Sequence, residues 1–304
     1  MITPAYINEL IDFYPYPPAE GWTFDPQGHD MRSQQVKGSA HLYNVLQREK
    51  IALLADEVGM GKTIQALSVM AALWRKKPEA RVLIFAPRDE IARNWQREYE
   101  NFIRLHYRHH DNIVKTVIGS EAVNPMVYCY NLYDLVDHVK QGWAKCYIGK
   151  ISSFSNLQSR QNVKAILQDL GIRENSKLRA AEHHKERYTR EIAGLLRDEI
   201  NAQSNRRKPF FDLLIIDEAH YFRHKQGNSL RVNTANAFFG DPAGKDIPLA
   251  ESVLLLTATP NHTSSDDIRN IVSYFSTRHA SNSHEQILDE LCVRRLRRLS
   301  SHAY

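Results

Sequence analysis

Apolar residues along this chain follow two alternating rhythms. Short unbroken runs, such as Ile51-Ala52-Leu53-Leu54-Ala55 and Leu213-Leu214-Ile215-Ile216, stand between longer segments with apolar positions every three or four residues. Unbroken runs of this length predict strands buried on both faces, and the longer spacing predicts amphipathic helices. Strands are expected at 51–55, 81–86, 112–118, 126–130, 146–152, 213–216 and 252–256. Helices are expected at 33–48, 63–75, 88–102 and 132–141, with a charged helical stretch over 157–204.

Val36, Leu42, Tyr43 and Leu46 are candidate buried positions of the first helix. Ile64, Leu67, Met70 and Leu73 form a stripe on the second, and Ile192, Leu195, Leu196 and Ile200 form one late in the charged stretch. Strands alternating with helices imply an α/β fold, an open and mostly parallel sheet with helices on both faces. Residues 1–30 are rich in proline and aromatics and read as an extended lead-in. No internal repeat or low-complexity tract interrupts the pattern.

Composition changes this picture little. The 304 residues have 42% apolar and 25% charged content, ordinary for a globular protein with a core. No apolar run reaches the ~20 residues a membrane-spanning helix needs, and the N-terminus lacks the pattern of a secretory signal. Three cysteines without Cys-x-x-Cys spacing argue against a disulfide framework or a zinc site and favour a reducing, cytoplasmic compartment, nucleoid-associated if the source is bacterial. The adjacent pairs His109-His110 and His183-His184 do not place two ligands on one helical face, so a solvated surface is preferred to metal binding.

Charge distribution is more informative. Residues 156–208 hold 12 Lys/Arg against 7 Asp/Glu, which alone equals the whole-chain excess of +5. Clustered cations supply sequence-independent affinity for phosphates, but a solvated helical hairpin of mixed charge has the same composition. Arg206-Arg207-Lys208 is the best candidate nucleic-acid contact within it.

Three motifs follow predicted strands. Asp56-Glu57-Val58-Gly59-Met60-Gly61-Lys62-Thr63 leads from a strand into a helix, which aims backbone N–H groups at a triphosphate. Lys62 would reach the terminal phosphates and Thr63 would bind Mg²⁺. The general pattern has glycine where this chain has Asp56. Asp217-Glu218-Ala219-His220 places two carboxylates at a strand's C-terminal end, where open α/β sheets bind ligands. Asp217 is the candidate Mg²⁺ ligand and Glu218 the candidate general base; taken alone, the tetrapeptide also fits a capping turn. Thr257-Ala258-Thr259 ends a third strand, with Thr257 and Thr259 able to sense the γ-phosphate or simply to form a strand-end turn.

Together these residues resemble the superfamily 2 helicases and translocases, and within them the Swi/Snf-type DNA translocases, which carry Asp-Glu-x-Gly-x-Gly-Lys-Thr. The resemblance extends over most of residues 31–298. It implies a RecA-like P-loop lobe that uses ATP and Mg²⁺ and acts on nucleic acid, most of all double-stranded DNA, in transcription, repair or phage defence. Gln35 matches the adenine-contacting glutamine, although Gln34 replaces the usual aromatic before it. Pro87 and Arg88, with Trp95 and Glu98 downstream, resemble the motif that grips the nucleic-acid backbone. Ser152 and Ser153 match the next such motif, and Val293-Arg294-Arg295-Leu296 looks like the segment that ends the first motor lobe. Phe211-Asp212-Leu213-Leu214 leans toward the bacterial branch that remodels RNA polymerase and toward phage-defence translocases.

The resemblance implies domains at 1–30 (extension), 31–275 (lobe with a helical insertion at about 156–208) and 276–304 (a basic helix leading toward a second lobe). Asp217 follows Thr63 by 154 positions, longer than such lobes usually need, and the excess falls on that insertion. Nothing like Gln-x-x-Gly-Arg-x-x-Arg follows Pro260, so slow turnover is expected of this chain alone, since an arginine finger accelerates hydrolysis by roughly 10³–10⁵. Arg294, Arg295, Arg297 and Arg298 would face DNA, lie solvated or, preferably, brace the second lobe. Tyr14, Tyr16, Trp22 and Phe24 are candidates either to stack on adenine or to cover a sheet edge. The rival reading is a lone lobe that holds ATP as a switch or scaffold and recruits a partner through its insertion.

Overall fold

A computed structural model describes residues 1–14, 30–57, 59–118, 120–155, 157, 163–204, 208–223, 230–244, 246–257 and 265–293. Seven strands form one sheet: β1 (Ile51–Leu54), β2 (Val82–Ala86), β5 (Met126–Tyr128), β6 (Cys146–Lys150), β7 (Phe211–Ile216), β8 (Ala250–Leu256) and β9 (Cys292–Val293). Their order is β5-β6-β2-β7-β8-β1-β9, and every pairing is parallel. The unbroken apolar runs are explained by this arrangement, because β1 and β2 are buried along their whole length between helical layers.

Parallel strands must be joined by crossovers, which are right-handed. The chain moves one way from β1 to β2 to β5, through α3 (Lys62–Lys76) and α4 (Asp89–Asn101), and then back through β6, β7 and β8. The return uses α5 (Leu132–Gln141), α8 (Lys185–Ala202) and α9 (Leu230–Phe239), so the reversal puts these on the opposite face. The observed packing agrees: α3 touches α4, while α8 lies against both α5 and α9. A parallel sheet also sends every strand's C-terminal end to one edge. The segments after Leu54, Ala86, Lys150, Ile216 and Leu256 therefore emerge together.

Four sequence expectations change. Residues 112–118 are not a core strand; β3 (Thr116–Ile118) forms an antiparallel hairpin with β4 (Glu121–Val123) outside the main sheet. Asp111 turns the chain before it by accepting from the Ile113 N–H. The N-terminus is not wholly extended. Thr3 caps α1 (Pro4–Leu10), with proline at the start where its missing N–H costs nothing, and the Asn44 amide clips Ile2 on both sides. Helix α3 buries far more than one stripe, including Val69, Ala71, Ala72 and Trp74, whereas Ile64 and Leu73 are only half-buried. Packing against α1, α2 (Met31–Glu49) and α4 explains this wider burial.

At the C-terminal end, α10 (Ser265–Val272), α11 (Thr277–Ala280) and α12 (His284–Leu291) lead into β9. Cys292 and Val293 thus form a strand on the open edge of β1, where a helix was expected. Arg294, Arg295, Arg297 and Arg298 lie outside the described residues, as do Tyr16, Trp22, Phe24, Arg206 and Arg207.

The charged stretch resolves into α6 (Val163–Asp169), α7 (Ser176–Ala181) and α8. Its last helix is a layer of the lobe. Ile192, Leu196 and Ile200 are fully buried, and the buried Arg197 donates to the Ala237 carbonyl at 2.9 Å. Among the described residues no helix is long and apolar enough to cross a membrane.

Candidate nucleotide site

The loop after β1 is shaped by two residues in left-handed backbone, Gly59 (φ +81°) and Gly61 (φ +73°). A β-carbon at Gly61 would sit 2.4 Å from Gln35 Nε2, so any other residue there must displace that amide as well as take up a left-handed backbone. Gly61 caps α3 without a side-chain hydrogen bond, which leaves the first N–H groups of that helix directed at the loop.

Two glutamines brace this loop from below. Gln35, almost fully buried on α2, donates Nε2 to the Met60 carbonyl at 3.0 Å. Gln65 donates to Asp56 Oδ2 at 3.1 Å and reaches the Met60 and Gly61 carbonyls at 3.4 Å. Asp56 is completely buried, so its carboxylate faces the protein interior. Glu57 is half-buried and Gly59 exposed. Lys62 Nζ donates to the carbonyls of Asp56 (2.9 Å) and Glu57 (3.2 Å). Burial pushes the Lys62 ammonium below its usual pKa, and the carboxylates of Glu218, Asp56 and Asp217 oppose that shift.

Across the edge, Asp217 immediately follows β7. Its Oδ2 accepts from Trp95 Nε1 of α4 at 3.0 Å. Burial raises its carboxyl above the usual range; the Trp95 bond works against that and the neighbouring Glu218 charge with it. Glu218 has φ +53° and ψ 52°, a left-handed conformation that costs a non-glycine residue about 1–2 kcal/mol. Such strain at a carboxylate in a cleft is what functional sites tolerate. His220 Nδ1 lies 3.1 Å from Glu218 Oε2.

Lys62, Thr63, Asp217 and Glu218 line one cleft of about 730 Å³, and Gly59, Gly61, Pro87 and Arg88 share its wall. Thr257 immediately follows β8, which lies between β1, the strand leading into the loop before Lys62, and β7, the strand leading into Asp217, and its N–H donates to the Leu54 carbonyl. Its buried hydroxyl has no hydrogen-bond partner among the described residues. Thr259 lies outside those residues.

A hard divalent cation takes oxygen donors and keeps several waters. The Thr63 hydroxyl and Asp217 carboxylate, on one cleft, fit that requirement. Among the described residues no cluster of three His, Cys, Asp or Glu offers a rival metal site.

The nucleic-acid candidates divide. Arg88 is exposed at the N-cap of α4 and Pro87 is half-buried. Ser152 is exposed just past β6, whereas Ser153 is buried 3% accessible, its hydroxyl aimed inward. Sequence reading missed Gln65 and Tyr221 and gave no role to His220 of the Asp217–His220 motif; Tyr221 and His220 line the cleft. A lone glutamine inside the apolar run Ile64–Leu67 was a legible sign of a buried polar role; nothing in the sequence singled out Tyr221.

Residues 28–262 match the family described as type III restriction enzyme, res subunit. The chain belongs to this ResIII family. Its mostly parallel seven-stranded sheet is that of a RecA-like lobe. Chromodomain-helicase-DNA-binding protein 8 of Danio rerio is 30% identical over 126 residues, 39% of this chain and 5% of that protein. ATP-dependent helicase fft1 of Schizosaccharomyces pombe is 36% identical over 75 residues, 25% of this chain and 8% of that one. Among solved structures, the Sulfolobus solfataricus SWI2/SNF2 ATPase core in complex with dsDNA superposes with a TM-score of 0.50 at 14% identity. That match covers 90% of this chain and 46% of the solved one, and it establishes likeness of fold. The chain thus spans a small part of these curated relatives and about half of the solved core.

Proposed function

We propose that this lobe binds ATP and hydrolyses it to drive movement along double-stranded DNA or remodelling of nucleoprotein. The observation that carries the reading is the shared cleft, in which Lys62, Thr63, Asp217 and Glu218 line the same 730 Å³ as Pro87 and Arg88. In this reading the loop N–H groups and the Lys62 ammonium hold the triphosphate. Thr63 and Asp217 would hold Mg²⁺, which would neutralise charge on the β- and γ-phosphates.

Glu218 orients the attacking water and accepts its proton, with His220 Nδ1 standing 3.1 Å from that carboxylate. Thr257, between the two halves of the site, registers loss of the γ-phosphate together with Thr259. Gln35 acts on the nucleotide through the loop it supports and, at its Oε1, through the base. Arg88 and Ser152 take DNA phosphates; duplex DNA is preferred because it is the ligand of the solved core with this fold. Ser153, being buried, would need a local rearrangement to join them. The lobe is taken as residues 31–275, working against a second RecA-like lobe that supplies an arginine finger.

The test is ATP turnover of the whole gene product with and without duplex DNA. A rise of tenfold or more on adding DNA supports the motor, and turnover indifferent to DNA supports the binding-module alternative.

A further inference from the structure

Helix α4 is fastened at two places that belong to different parts of the machinery. At its N-terminus, Asp89 accepts from Lys150 Nζ at 2.9 and 3.2 Å and from the Tyr128 hydroxyl. Arg93, one turn on, lies over the Tyr128 ring at 5.0 Å. Arg88 immediately precedes this knot, and Lys150 stands two residues before Ser152. The start of α4, whose N-cap is Arg88, is thereby fixed to the ends of β5 and β6, and β6 leads directly to Ser152. Six residues later, about 9 Å along the axis at 1.5 Å per residue, Trp95 donates its indole N–H to Asp217 Oδ2 at 3.0 Å.

Trp95 is 2% exposed. A buried indole has a single polar atom, a donor with one preferred acceptor geometry. Any slide or rotation of α4 relative to β7 must therefore move Asp217 or break this bond. The helix is a rigid body with its sheet-edge end in the knot and its middle on the candidate metal-binding carboxylate.

We propose that Trp95 is a positioning residue through which α4 transmits nucleic-acid contact at the sheet edge to Asp217 in the nucleotide site. The inference rests on the ATP-driven DNA reading above and names the element that joins its two halves. Trp95 acts on Asp217 alone, leaving the chemistry to Glu218.

The experiment is a thermodynamic coupling measurement that needs no turnover. Affinity of the whole gene product for a fluorescein-labelled DNA duplex is measured by anisotropy, with and without a non-hydrolysable Mg-ATP analogue. Coupling of this kind typically changes affinity by about 5–150-fold. Trp95→Phe, which keeps an aromatic ring and removes the N–H, is expected to bring that factor close to one. Tyr99→Phe is the control: Tyr99 is buried on the same helix and its hydroxyl donates to the Val114 carbonyl, away from Asp217.

Retention of wild-type coupling in Trp95→Phe overturns the inference alone. Equal loss in Tyr99→Phe also overturns it, because general loosening of α4 would then suffice. A wild-type protein that binds no duplex overturns the DNA reading and this inference with it.

Discussion

Gln65 Nε2 donates to Asp56 Oδ2 across 3.1 Å beneath the glycine loop, joining the residue that replaces the usual glycine to the first turn of α3. Because Asp56 is fully buried, its carboxylate shapes the loop from within. Gln65→Leu removes one partner of a buried hydrogen bond and should cost about 1–3 kcal/mol of stability. Asp56→Gly combined with Gln65→Leu should cost less than the two single changes added together. Chemical denaturation of the four proteins, as a double-mutant cycle, measures that coupling.

Gly61→Ala should lower ATP affinity more than it lowers stability. The new β-carbon would meet Gln35 Nε2 at 2.4 Å, and displacing that flexible amide breaks its bond to Met60. The φ of +73° adds about 1–2 kcal/mol of backbone strain. Nucleotide titration alongside thermal denaturation separates the two effects; unchanged ATP affinity would show that the loop tolerates the side chain.

Helix α8 should behave as core. Leu196→Ala is expected to destabilise by about 2–5 kcal/mol, as for other large-to-small changes at fully buried sites. Lys185→Glu, at an exposed position on the same helix, should stay within about 0.5 kcal/mol of wild type. Urea unfolding of both variants checks the contrast, and similar small costs would mean that the charged stretch is a dispensable appendage.

Acid should weaken the attachment of the C-terminal helices to α2. The Arg48 guanidinium, followed by Arg278, holds the Glu49 carboxyl below its usual range against the effect of its burial. A depressed folded-state value contributes stability above the unfolded value of about 4.3 and loses it as pH falls through the folded value. Glu49→Gln should therefore be less stable than wild type at pH 7, with the difference closing below about pH 4. Denaturation midpoints from pH 7 downward provide the check; a gap that does not shrink at all as pH falls below the unfolded value would contradict the assignment.

The interior of the fold was legible because its strands are buried on both sides. Continuous apolar runs at 51–55 and 213–216 have no other stable use in a chain of this composition, and they appear as β1 and β7. The helix predicted at 132–141 coincides with α5, where Asn131 supplies the cap and Gly142 the left-handed stop. Edges were harder to read. Thr116–Ile118 has strand-forming residues, but a three-residue ribbon with exposed Val117 and Ile118 gives no signal of which sheet it joins. The short α1 is held by tertiary contacts to α2, which no local pattern reports.

The meeting of the Lys62 and Asp217 motifs in one cleft was legible from motif order, since a parallel sheet gathers every strand end at one edge. The bracing beneath it was not. Gln35, Gln65 and Asp56 meet only after α2, β1 and α3 have packed, and the Trp95–Asp217 bond crosses 122 residues of sequence.

The most direct test of the motor reading is hydrolysis by Glu218→Gln in the whole gene product, measured beside its equilibrium binding of ATP. Loss of a general base typically costs about 10²–10⁴-fold in rate, so DNA-stimulated turnover should fall by that much while ATP affinity stays near wild type. Turnover that survives the substitution at wild-type rate would contradict the role of Glu218 and, with it, the site on which the motor depends.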